Sequence, residues 1–190
     1  GEFSDPDLQL KFSVGGFVAQ GSDGVPAIYT AGRFVDRATR LWARFGDGHR
    51  LDVRVRPGAD PWDRTVVELI PVIPAALVGR PALQWAAHKE PLAGMAGWVI
   101  ETVPGLTPGA APGRVLVDTI IGNPVEPPLG HLNYVALTRA EGLPVLDETG
   151  AVLCVVFRPS PVHEGLSLCA PGESGGAPPT PKRTPLEITP

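Results

Sequence analysis

The side chains able to do chemistry are few and scattered. Histidines stand at His49, His88, His131 and His163. No pair has the i, i+4 or short-loop spacing that lets two imidazoles share a cation. Each reads most simply as a surface or turn residue: His49 follows a hairpin glycine and His163 adjoins Glu164. Cys154 and Cys169 are compatible with a disulfide, given suitable Cα spacing, but read first as two buried thiols acting as small apolar groups. Ser174 lies in Gly172-Glu173-Ser174-Gly175-Gly176, which as plain composition is a flexible linker. Trp42, Trp62, Trp85 and Trp98 read as core or lobe-interface residues, and an exposed one would mark a binding patch. The clearest local signal is a β-hairpin over residues 140–156. A strand ends at Leu146, residues 147–150 supply turn chemistry, and an apolar β-branched strand follows.

Short strands must position these groups, because the composition leaves little room for helices. Gly and Pro number 23 each in 190 residues, and one or other interrupts almost every ten-residue window. Hydrophobic residues make up 43%, enough for a real core. The formal net charge is −4 and no basic block appears along the sequence, which argues against nucleic acid and anionic membrane surfaces as partners. The apolar runs are too short to span a bilayer as a helix. The opening Gly1-Glu2-Phe3-Ser4 reads as a cloning scar ahead of a piece of a longer protein.

Strand patterns recur at 8–12, 16–20, 27–30, 41–45, 50–56 and 65–70. In the fifth, Leu51, Val53 and Val55 alternate with Asp52, Arg54 and Arg56. Gly46-Asp47-Gly48 marks a hairpin before it. Residues 71–91 carry Pro71, Pro74, Pro81 and Pro91, which remove ladder donors and predict a crossing linker. A second set follows at 97–103, 115–121, 132–138, 143–146, 152–157 and 166–170. Beyond Pro171 the Pro, Gly, Ser and Thr composition predicts a mobile tail. The expected organisation is all-β: an N-terminal arm (1–7), a first antiparallel barrel (8–70), a linker (71–91), a second barrel (92–171) and a flexible Pro-rich tail (172–190).

Five segments, in order, resemble trypsin-like serine proteases, in particular the HtrA-like branch. Val14-Gly15-Gly16-Phe17-Val18 is similar to the opening strand G-S-G-F-V. Residues 29–35, Y-T-A-G-R-F-V, resemble the V-T-N-A-H-V-V turn of the catalytic histidine. Residues 60–67, D-P-W-D-R-T-V-V, resemble the D-x-x-x-D-L-A-V-L stretch of the catalytic aspartate. Residues 139–147 resemble G-N-S-G-G-P-V-L-D, and 165–171 resemble the closing strand G-I-G-F-A-I-P. The resemblance implies two six-stranded β-barrels with a cleft between them.

Carried over residue by residue, it places Asp63 at the aspartate position, Arg33 at the histidine position and Glu141 at the serine position. Acyl transfer by this family needs a hydroxyl nucleophile, a base and backbone donors for the oxyanion. Arginine stays protonated and cannot act as the base. A carboxylate at Glu141 would repel the oxyanion. Arg139 and Leu143 also replace two glycines of the serine loop, where side chains should disturb the donors. Gly172-Glu173-Ser174-Gly175-Gly176 is similar to the family's G-D-S-G-G, but the family needs two more strands after it, and only the Pro-rich tail follows.

The expected function is therefore that of a pseudoprotease: no catalytic residues, no cofactor and no metal, with a degenerate triad at Arg33, Asp63 and Glu141. It would serve as a protein-binding or scaffolding module of a larger bacterial protein, taking a protein or peptide in the inter-barrel cleft by strand addition. The family resemblance alone points to the periplasm or cell envelope. Two alternatives are an active serine hydrolase using Ser174, and a transition-metal-binding pseudoprotease. Some magnetosome members of the family bind metal through surface histidines, but the relevant histidine position is Trp62 here. Arg33 facing two carboxylates would form an ion-paired cluster.

Overall fold

The computed structural model describes residues 2–5, 8–11, 13–32, 35, 38–57, 66–87, 94–102, 114–120, 133–135, 141–160 and 164–171. Its frame is two curled antiparallel sheets. The first joins β3 (Gly16–Gln20), β4 (Pro26–Ala31), β5 (Leu41–Arg44), β6 (Arg50–Val55) and β7 (Val66–Pro71) in the order β3-β4-β7-β6-β5. The second joins β8 (Ala96–Thr102), β9 (Arg114–Ile120), β10 (Asn133–Val135), β11 (Pro144–Leu146), β12 (Val152–Pro159) and β13 (Ser167–Pro171) in the order β10-β13-β12-β11-β8-β9. The described residues thus give five strands in one sheet and six in the other. The strand expected at 8–12 forms as β2 (Leu8–Lys11), but it pairs with β1 (Glu2–Asp5) in a separate two-stranded ribbon. Backbone pairing that far up the chain is invisible to alternation, which reports faces and not partners.

The hairpins form where the turn chemistry placed them. Gly48 sits at φ 82°, and the Phe45 and Gly48 amides close the β5–β6 turn onto the His49 and Phe45 carbonyls. At the second turn, Asp147 Oδ1 accepts from the Thr149 amide, the Thr149 hydroxyl and the Ala151 amide at 2.6–3.0 Å. That one carboxylate holds a four-residue reversal rigid. Between these turns the β6 alternation holds: Val53 is buried, while Arg50, Asp52 and Arg54 face solvent.

Each sheet carries its own core. Ile28, Val53, Val67, Leu69 and Leu77 fill the first, Val99, Val145, Leu153 and Val156 the second. All five residues from Val152 to Val156 are buried, so β12 is covered on both faces. Cys154 and Cys169 lie in the second core as a disulfide with Cα atoms 5.8 Å apart. Cys154 stands opposite Pro171 and Cys169 opposite Val156 in the β12–β13 ladder. The cysteines are therefore diagonal neighbours on one face, and the bond corrects the first reading of two buried thiols. Closing a loop of this size contributes about 3 kcal/mol in the chain-entropy account.

The linker does more than cross. A 3-10 turn at Pro74–Leu77 buries Leu77 against the first core. The Leu83 amide then donates to the Val18 carbonyl of β3, and Val152 and Ala86 exchange bonds with the Gln84 and Val152 carbonyls on the other side. Trp85 anchors the crossing. Its ring meets Tyr29 edge-on at 4.8 Å and Phe17 at 5.7 Å, and both the Trp85 indole and the Tyr29 hydroxyl donate to the Gln20 carbonyl. Burial, reinforced by the Glu68 carboxylate, pushes the Tyr29 phenol up to about 12.

The unfolded chain ionises this phenol near 10, so above that pH the unfolded state releases a proton that the folded state keeps. The stability concerned is intact below about pH 10 and falls by up to roughly 2–3 kcal/mol as pH rises toward about 12. Urea titrations from neutral to alkaline pH should show Tyr29→Phe slightly less stable at neutral pH but with a flatter decline above about pH 10. Parallel declines in the two proteins would contradict this.

Candidate functional site

Glu141, which the sequence resemblance sets at the serine position, lies where the two sheets touch. Glu141 and Gly142 form a turn that leads into β11. The Gly142 amide donates to the Val156 carbonyl at 2.7 Å, and the Val156 amide returns to Leu143 O at 2.9 Å. The turn is thereby tied to the middle of β12. Its outer side is tied to the other sheet, since the Gly15 amide donates to Glu141 O at 3.0 Å. The Gly15 carbonyl in turn accepts from the Thr30 hydroxyl at 2.6 Å. Thr30 is buried on β4, three residues before Arg33.

This approach dictates glycine twice. Gly142 sits at φ 82°, and a Cβ there would overlap the Gly15 carbonyl oxygen outright and come within 2.9 Å of Thr30 Oγ1. A Cβ on Gly15 would stand 2.8 Å from Glu141 O and from the Leu143 side chain. Leu143, expected to disturb the donor loop, is only 9% exposed and packs into the second core with Val145 and Val156. Glu141 itself is half-buried, with Oε2 shielded from solvent. Arg33, Asp63, Arg139 and Ser174 lie outside the described residues, as do Trp62, His88, His131 and His163.

A second charged cluster escaped the sequence reading. Glu68 is 5% exposed on β7, within the otherwise apolar Val66–Pro71. Its carboxylate accepts from the Ser22 amide at 3.2 Å and hydroxyl at 3.0 Å and lies 2.8 Å from Arg56 Nε. Arg56 also reaches Asp23 at 3.0 Å. A backbone hydrogen bond from Val25, helped by Arg56, holds the Asp23 carboxyl below its usual range. Gly21 admits no side chain here, as a Cβ would lie 2.6 Å from Glu68 Oε1. The arrangement satisfies a buried carboxylate and fixes the β3–β4 turn; every partner is structural. The signal was a lone acid inside a β-branched run, with an arginine at the end of the strand preceding it.

Among the described residues no three His, Cys, Asp or Glu side chains converge as metal ligands. His49 is exposed at the β5–β6 turn, beside the Phe45 ring. No described helix is long and apolar enough to cross a membrane.

No protein-family model and no curated protein matches the sequence. Solved structures do match. Rv3671c from M. tuberculosis H37Rv, as a serine-to-alanine mutant in an inactive form, superposes with a TM-score of 0.59 at 17% identity, covering 90% of this chain and 79% of that one. The HtrA-type protease AlgW with a decapeptide gives 0.62 at 16% identity over 86% of this chain, which spans about half, 49%, of AlgW. A human pathogenic astrovirus serine protease gives 0.59 at 16% identity, covering 89% and 86%. The chain therefore has the fold of trypsin-like serine proteases.

The Gly15–Gly142 approach predicts that Gly142→Ala is among the most damaging small substitutions. Backbone strain at positive φ and overlap with Gly15 should together remove on the order of 3 kcal/mol, read as a lower urea midpoint. A midpoint within a few tenths of a kcal/mol of the parent would show that the seam is looser than described.

Proposed function

We propose that the chain is a catalytically inactive trypsin-like domain that binds a protein or peptide as a module of a larger bacterial protein. The observation that carries this reading is Glu141. Its main chain joins the seam between the sheets, its Oε2 is shielded from solvent, and it stands three residues ahead of Pro144, where the resemblance to trypsin-like proteases sets the serine. A carboxylate offers no hydroxyl to acylate and repels a forming oxyanion. Arg33 at the histidine position supplies a fixed cation and no base. What persists is the scaffold, whose inter-sheet cleft can take an extended segment by strand addition.

A serine-reactive phosphonate followed by intact-mass measurement tests the reading directly. The expected result is no adduct. An adduct that disappears in Ser174→Ala would assign an active hydrolase to the glycine-flanked serine and overturn the proposal.

The same assignment sets Arg33 against Asp63 and Glu141 in one partly buried ion-paired cluster. Removing the cation strands two carboxylates, so Arg33→Ala should cost on the order of 3 kcal/mol in urea unfolding. An unchanged midpoint would dissolve the cluster.

A further inference from the structure

We propose that the outer face of β5 and β6 docks an extended acidic segment of a partner protein, at a surface separate from the seam around Glu141. Linear sequence disperses this surface, because its arginines are spread over residues 40–54. Strand geometry collects them. Alternate residues share one face of a strand, and the β5–β6 register sets Trp42 opposite Asp52 and Arg44 opposite Arg50. Arg40, Arg44, Arg50 and Arg54 are all exposed, with Asp52 the one carboxylate among them. This leaves a local excess of positive charge on a chain whose formal net charge is −4.

The internal pairing does not neutralise it. Asp52 is shared between Arg40 at 3.4 Å and Arg50 at 4.0 Å, and the Arg50 guanidinium also lies over the Trp42 ring at 4.4 Å. Among the described residues no carboxylate pairs with Arg44 or Arg54. Arg44 stands directly across from Arg50, a like-charge pair that weakens a sheet. A carboxylate seated between the two reverses that sign, and the guanidinium fork suits it.

Two features select an extended peptide over other polyanions. β5 is the terminal strand of its sheet among the described residues, so an incoming strand can continue the ladder. Beside Arg40, Asp52 and Arg54 opens a cleft of about 490 Å³, whose wall holds the exposed Val72 together with Leu41 and Val53 from the core-facing side of the strands. It suits an apolar side chain carried between acidic ones. A nucleic acid offers no such side chain and would set phosphates against Asp52.

The test uses a labelled peptide that alternates glutamate and threonine around a central leucine, read by fluorescence anisotropy. Its comparators are the same peptide with glutamine for glutamate, a DNA duplex and phosphatidylserine vesicles. The glutamate peptide should bind at low salt and weaken as the Debye length shrinks from about 30 to about 8 Å. The double variant Arg44→Glu and Arg54→Glu should lose about tenfold or more in affinity. Its melting temperature should match or exceed the parent's, since Arg44→Glu turns a repulsive cross-strand pair into an attractive one. If the double variant melts lower, Arg54→Glu alone and the glutamine peptide on the unchanged protein carry the comparison. Absence of glutamate-peptide binding, equal binding of the glutamine peptide or an unaffected variant would overturn the proposal. Tighter binding of the duplex or vesicles, lost in the same variants, would also overturn it by putting another anion in the peptide's place. None of these outcomes depends on whether the seam at Glu141 is catalytic.

Discussion

Two backbones touch at Gly15 and Glu141–Gly142, and the relation between the sheets depends on that contact. The Gly15 amide bonds to the Glu141 carbonyl, while the Gly15 carbonyl takes the Thr30 hydroxyl. Such an approach is possible only where neither chain carries a Cβ between the peptide planes, so the two glycines act as one unit. The crossing linker repeats the arrangement nearby, with bonds to β3 on one side and to β12 on the other. Val66 completes the seam, packing against both the Tyr29 cluster of the first sheet and the Leu168–Ala170 cluster of the second. The seam is closed by main-chain hydrogen bonds and the buried Leu143 side chain.

Rigidity is supplied on either side of that contact by polar groups placed in apolar settings. Asp147 gathers three donors and fixes the turn that carries β11 into β12. Glu68 gathers Ser22 and Arg56 and fixes the turn between β3 and β4. Each carboxylate is nearly inaccessible to water, so each depends on its hydrogen bonds for its place in the fold. The disulfide between Cys154 and Cys169 adds a covalent tie within the second core.

Much of the fold was legible because strands announce themselves by alternation and turns by residue type. Leu51, Val53 and Val55 predicted the face of β6, and Asp47-Gly48 and Asp147 to Gly150 predicted both reversals. Partnership was not legible. Nothing in Leu8–Lys11 says that it pairs with Glu2–Asp5 and not with the first sheet. Cys154 and Cys169 could be placed on neighbouring strands only through resemblance, and their diagonal register appeared with the ladder. The site divided in the same way. Glu141 was singled out through resemblance, by its distance from Pro144, whereas the Gly15–Gly142 contact and the Glu68–Arg56 pair join segments too far apart in sequence to be read from it. The arginine face of β5–β6 shows the limit most clearly, for a charge pattern with no linear block becomes a patch once two strands align.

The proposed function sets a carboxylate at the nucleophile's place of a protease fold, in a domain that recognises extended chains and leaves them whole. The most direct measurement is to incubate the pure protein with an unfolded substrate protein, crosslink one portion, and follow the other by intact mass over many hours. The account predicts crosslinked complex and a substrate mass that does not change. Substrate fragments that accumulate in proportion to the amount of the protein would contradict it.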